Sequence, residues 1–223
     1  MRIIFIPGLD EDISIFDQIH PHLAGEKVFV DNWRLLSDLP EENLTVKDYA
    51  QYLIDRFSIT QSDVVIGHSM GGWIALQIKQ LTGCKVVQIA SWTNPKKKIT
   101  IPLPRFLMYW IAKKGFGFND VTLKILVWIY YKNKPSAKIF SAIFNRTRHG
   151  DLKVFVKQLK IVFNPLKQPL TASPDLRIHA LYDHLVKYPD EPFVTVPGDH
   201  FSLCTYPDSV YKPITHLLET LQQ

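Results

Sequence analysis

The chain has 223 residues, 46% apolar and 21% charged, with a net charge of +5. That composition suits a folded globular protein of one sizeable domain, or one domain carrying a large insertion, and excludes disordered and collagen-like chains. Two cysteines, Cys84 and Cys204, give neither a disulfide framework nor a metal spacing, and no apolar run reaches the ~18 residues of a membrane span.

In chain order, Arg2–Ile6 reads as a short apolar strand ended by Pro7-Gly8. With no long apolar segment after a basic start, no secretory signal is expected, and a soluble cytoplasmic protein is the default. Glu11–Leu23 is expected as a helix, because Ile15, Ile19, His22 and Leu23 fall toward one face. Lys27–Val30 is a second strand. Thr45 opens a helix through Phe57, with Asp48 three residues on as a variant of the capping box. Asp63–Ile66 and Lys85–Ala90 read as the third and fourth strands. Arg177–Tyr182 and Phe193–Val196 read as two more, and Asp208–Leu221 closes as an amphipathic helix. Short buried strands separated by helices imply a parallel sheet covered on both faces, with a site at the carboxyl ends of the strands.

Between the fourth and fifth strands the chain changes character. Asn94 to Pro174 carries 16 Lys and Arg against two acidic residues, Asp120 and Asp151, while the rest of the chain is net acidic. Such an asymmetry points to a unit with its own surface role. Helical patterns cover Phe106–Lys113, Val121–Lys132, Ala137–Phe144 and Leu152–Phe163. The last is the clearest, with one apolar stripe and Lys153, Lys157 and Lys160 off it. Val121–Tyr131 is apolar nearly all round and is expected to be buried. Residues 1–93 and 176–223 are therefore expected as the core, and 94–175 as a helical cap.

Gly67-His68-Ser69-Met70-Gly71 is the most informative motif. A strand precedes it and a helix-forming run, Gly72–Ile78, follows, which is the setting of a nucleophile elbow. Ser69 needs small neighbours at such a turn, which Gly67 and Gly71 supply. The Met70 N–H then points from a helix N-terminus at a developing oxyanion. By chance alone the bare pattern is common enough to carry little weight, so the partners decide. His200, in the strand-end loop Val196–Phe201, is the best base among eight histidines. Asp175, Asp183, Asp190 and Asp199 are the acid candidates. Asp183 is preferred because it ends an apolar strand beside that of Ser69, with Asp190 as the rival.

Three passages carry a family resemblance: Phe5-Ile6-Pro7-Gly8-Leu9, Gly67–Gly72, and Ile178–Val186 followed by Pro197–Phe201. The chain resembles small bacterial α/β-hydrolases over a core of roughly 140 residues, a resemblance specific to the fold and not to a substrate. It implies a mainly parallel sheet of about six strands with an inserted helical cap. It also implies Ser69 as nucleophile, His200 as base, Asp183 as orienting acid, and Met70 and Leu9 as oxyanion donors. The chain departs from the family at Pro7, where His is frequent, and at Ala180 and Asp199, where Gly is frequent. Asp10-Glu11-Asp12 places negative charge beside the expected entrance.

The expected activity is hydrolysis of a carboxylic ester or thioester with an apolar acyl group, with no metal or cofactor. His68, Trp92, Phe106, Trp110 and Trp128 are the candidates for the acyl pocket, although the aromatic residues of the insertion equally suit packing of cap on sheet. The basic insertion, including Lys96–Lys98, suits a solvated surface, an acidic acyl carrier protein or coenzyme A, or an anionic membrane surface. Nucleic acid has no motif to support it. His20, His22, His149, His179 and His216 show no metal spacing. The reading from another class is a non-catalytic binding protein on a hydrolase scaffold.

Overall fold

A computed structural model describes residues 1–42, 44–98, 104–166, 168 and 170–222, Lys96 in its backbone only. Six strands form one sheet: β1 (Arg2–Ile6), β2 (Glu26–Phe29), β3 (Val64–His68), β4 (Lys85–Ile89), β5 (Leu176–Ala180) and β6 (Val194–Val196). Their order is β2-β1-β3-β4-β5-β6 and every pair is parallel. β1, β3 and β4 are buried on both faces, so they read as continuous apolar runs without alternation.

Strand order reverses between β1 and β3. The chain steps outward to β2 on one side and through β3 to β6 on the other, so the loops after β1 and β3 part and leave a crevice at their carboxyl ends. α1 (Asn32–Ser37), α2 (Val46–Phe57) and α3 (Met70–Thr82) belong to one face. α8 (Ser202–Thr205) and α9 (Pro207–Thr220) belong to the other. The N-terminus of α2 is fixed by a complete capping box between Thr45 and Asp48, as the sequence implies.

The expected helix over Glu11–Leu23 is instead two 3₁₀ turns, Ile13–Phe16 and His20–His22. The Asp12 side chain accepts from Ser14 N–H at the first, and Pro21 has no N–H to continue a helix at the second. Ile15, Phe16, Ile19 and Leu23 are nonetheless buried, because 3₁₀ spacing also brings residues three and four apart toward one side.

Between β4 and β5 lie α4 (Arg105–Lys113), α5 (Asp120–Leu126) running into a π-helical turn (Val127–Tyr131), α6 (Ser136–His149) and α7 (Leu152–Phe163). α7 does not stand apart from the rest: Val154, Ile161 and Val162 belong to the same apolar cluster as α2 and α3. The Lys157 ammonium, expected in water, is buried and donates to the carbonyls of Leu36, Ser37 and Leu39 at the end of α1. Helix C-termini leave such carbonyls without intrahelical donors, and a cation there is also favoured by the helix dipole. α5 and its π-helical turn depart from expectation in the opposite sense. Tyr131 is buried, but Val121, Ile125, Trp128 and Ile129 are more than half exposed.

Candidate active site

Ser69 ends β3 and begins α3. Its backbone sits at φ 49°, ψ −118°, a conformation L-residues rarely adopt. The turn survives because the residues two positions to either side, Gly67 and Gly71, have no side chains. A Cβ on Gly67 would run into the Gly71 backbone, and one on Gly71 into the carbonyl of Ile6. The Ser69 N–H donates to Ile89 O at 2.9 Å, and the Ser91 hydroxyl donates to Ser69 O at 2.7 Å, tying the turn to β4. The amides of Met70 and Leu9 donate to no described residue.

Asp183 follows β5. Its Oδ1 accepts from Leu185 N–H at 2.8 Å and Val186 N–H at 2.9 Å, and its Oδ2 meets His200 Nδ1 at 2.7 Å. Burial resists ionisation of this carboxyl, but the His200 charge and hydrogen bonds outweigh it, and its pKa lies below the ordinary value. Burial likewise resists protonation of His200, and Asp183 outweighs it, so the His200 pKa is raised. His179, 3.5 Å from Asp183 Oδ2, is pushed down by burial and spends its Nε2 on Val186 O. The rival acids lie elsewhere. Asp190 pairs with Lys97 at 2.5 Å, Asp175 with Lys79, and Asp199 accepts from Ser136 at 2.5 Å.

Ser69 and His200 line one cavity of about 230 Å³, with no hydrogen bond between the Ser69 hydroxyl and the ring. Its wall is nearly all apolar. Trp92 lies in the lining, together with Phe140, Ile143 and Phe144 of α6 and Phe155 of α7, which the sequence did not single out as pocket residues. Three pocket expectations are corrected. Phe106, Trp110 and Trp128 are 75%, 51% and 65% exposed and do not reach the cavity. α4 turns Met108 and Ala112 inward instead, and the π-helical turn gives the buried place to Tyr131. His68 is corrected too. It is fully buried beneath the site, its Nδ1 meeting Glu11 Oε2 at 2.8 Å and its Nε2 the His200 carbonyl at 2.9 Å.

The acidic run after β1 is not charge at a mouth. Glu11 is buried and its carboxylate also accepts from Gly8 N–H at 2.6 Å. Asp12 pairs with Arg146 of α6. Asp10, at φ 64°, is buried against the cavity, and its carboxylate oxygens have no hydrogen-bond partner among the described residues. Burial raises its pKa to about 8, against the pull of Arg146. The Asp10 N–H donates to Gln158 of α7 at 2.7 Å and its carbonyl accepts from Arg146, so two inserted helices hold the loop that carries Leu9.

Lys98 is also engaged. Its ammonium donates to Val162 O at 2.7 Å, lies 5.1 Å above the Phe163 ring, and is pushed down to about 8 by burial. The Lys96 side chain lies outside the described residues. Glu11, His68 and His200 are the one set of possible metal ligands brought within 4.8 Å of one another among the described residues. Glu11 and His68 Nδ1 spend that closeness on their mutual hydrogen bond.

No protein-family model matches the sequence, and no curated protein matches it. Solved structures do match over nearly the whole chain. An enol-lactonase from Burkholderia xenovorans LB400 superposes with a TM-score of 0.74 at 14% identity, covering 98% of this chain and 91% of its own. A hydrolase from Oleispira antarctica gives 0.73 at 13%, covering 98% and 90%. The RedJ thioesterase of prodiginine biosynthesis in Streptomyces coelicolor gives 0.60 at 17%, covering 97% and 89%. With its parallel sheet, its strand-to-helix turn at Ser69 and these full-length superpositions, the chain has the α/β-hydrolase fold.

Proposed function

We propose that the protein is a serine hydrolase that cleaves a carboxylic ester or thioester through an acyl-enzyme on Ser69. The observation that carries this is the strained Ser69 turn opening on the same cavity as a His200 ring held at 2.7 Å by the buried Asp183. Ser69 Oγ attacks the acyl carbon as its proton passes to His200 Nε2. The oxyanion that forms is met by the Met70 and Leu9 amides. Collapse of the intermediate expels the alcohol or thiol, which takes the proton from His200. Water then adds with His200 as base, and the acid leaves. Asp183 keeps Nδ1 protonated and stabilises the imidazolium.

The cavity of about 230 Å³, with its mostly apolar wall, fits a compact apolar acyl group. Solved structures with this architecture include an enol-lactonase, esterases and a thioesterase, which is consistent with acyl transfer without choosing the leaving group. Asp10, neutral below about pH 8, is placed to donate to a substrate oxygen in a mostly apolar cavity.

The test is intact-mass analysis after a fluorophosphonate, with a p-nitrophenyl ester and acyl-CoA chain-length series. One adduct is expected, absent from Ser69→Ala and His200→Ala, and Ser69→Ala is expected to lose at least about 10³-fold in kcat. Ser69→Ala with full activity on an ester that wild type cleaves would overturn the mechanism. An unlabelled, inactive but folded wild type would favour the binding-protein reading.

A further inference from the structure

Eight of the sixteen large apolar side chains that stand exposed on the described residues lie between residues 106 and 130. On α4 they are Phe106 and Trp110, one helical turn apart. The turn after α4 adds Phe116, whose ring lies 5.8 Å from that of Trp110. On α5 and the π-helical turn, Val121, Ile125, Trp128 and Ile129 recur at the spacing of one helix face. Exposed apolar side chains grouped along a helix face in this way mark an interaction surface, where singly scattered ones would not.

The charges beside it are of one sign. Arg105, Lys114, Lys124, Lys132 and Lys138 are exposed, and none pairs with an acidic group among the described residues. From residue 105 to 138 the sequence has one acidic residue, Asp120, and Arg148 neutralises it at 2.5 Å. Cations of the insertion that face the core behave differently: Lys113 and Lys160 share Glu41, and Arg146 meets Asp12. Lys132 stands 5.7 Å from the centre of the Trp128 ring, which puts charge and aromatic surface side by side.

We propose that the exposed apolar sides of α4 with the Phe116 turn, and of α5 with the π-helical turn, rest on an anionic lipid surface. Their Trp, Phe and Ile side chains enter the interfacial layer, and the unpaired lysines meet acidic headgroups. A soluble acidic partner would use the charge but leave the apolar side chains in water. A second copy of the chain would set unpaired cations against unpaired cations. No described helix is long and apolar enough to cross a membrane, so the contact is peripheral. The face continues to the Asp183 loop, since the Tyr130 ring lies 5.8 Å from that of His184. The proposal does not depend on the Ser69 chemistry, and its test does not read activity.

The experiment is flotation of the full chain with vesicles of phosphatidylcholine alone or with 30% phosphatidylglycerol, at low and high salt. Binding at least about tenfold tighter to the anionic vesicles is expected. Trp110→Ser with Trp128→Ser, and separately Lys114→Glu with Lys124→Glu, should each remove most of it at an unchanged thermal midpoint. Brominated lipid should quench part of the wild-type tryptophan emission, a readout that needs no variant. Equal binding to both vesicles, or none, would overturn the proposal. So would anionic binding indifferent to the tryptophan pair, the behaviour of a charge-only site for an acidic protein. A concentration-dependent dimer that the same pair abolishes would assign the face to a second copy instead.

Discussion

At the scale of single residues, the site is a set of buried polar groups whose partners are almost all found. Asp183 is the clearest case, with three acceptor contacts filled and its ionised form favoured despite burial. The consequence is felt at His200, whose pKa rises because the carboxylate favours the imidazolium. A base must be neutral to act, so the rising limb of kcat/KM should lie above the ordinary histidine value of 6.5. Asp183→Asn removes the charge that raises it. The limb should then move to lower pH, while kcat falls on the order of 10³–10⁴-fold because the wrong tautomer is favoured. A pH–rate profile of both proteins on one soluble ester checks the two effects together. A limb that stays in place in the variant would mean that another group sets it. Ser69, His200 and Asp183 could be named as candidates from the sequence because the first two sit in local strand-end motifs and the third follows an apolar strand. His68 was expected in the pocket and Glu11 at the entrance, since nothing in Gly67–Gly71 says that the residue before the serine turns downward to a carboxylate 57 positions earlier.

At the scale of elements, the β strands were legible because continuous apolar runs between turn residues have few other solutions. The inserted helices were legible as helices and not as faces. Leu152–Phe163 was placed end to end, yet Lys157 and Gln158 look like solvent positions in the pattern and are buried. α7 packs on the sheet side and on α4 at once, so its polar residues are enclosed and must find partners. Gln158 finds the amide of Asp10. Gln158→Ala leaves that buried N–H without an acceptor, a cost of about 1–3 kcal/mol. It also frees the loop that carries the Leu9 amide, so kcat should fall about tenfold or more on a small ester, with KM changed less. Kinetics alongside urea unfolding separate the two effects. An unchanged kcat in a destabilised variant would show that the loop keeps its place without α7.

For the molecule as a whole, the question raised by the charge asymmetry is whether the basic insertion is a separate folding unit. Sequence patterning marks residues 94–175 as different in composition, and composition cannot say how the unit is attached. The attachment is visible in particular contacts. Lys157 of α7 closes the carbonyl end of α1, Glu41 holds both Lys113 and Lys160, and Val154, Ile161 and Val162 share one apolar cluster with α2 and α3. The ion pairs are partly exposed and contribute little each. Lys157 and the shared apolar cluster are enclosed and couple the parts more strongly. Unfolding the insertion alone would therefore expose the core, and the chain should melt in one transition, with near-UV and far-UV circular dichroism coincident. Lys157→Ala strips the donor from the buried Leu36 carbonyl and from the part-buried carbonyls of Ser37 and Leu39, and should destabilise by about 1–3 kcal/mol. Because the lost contact joins the two parts, the single transition should move down without splitting. A variant with two transitions, the earlier one abolishing the cavity between α6 and Ser69, would show that the insertion folds on its own and only leans on the sheet.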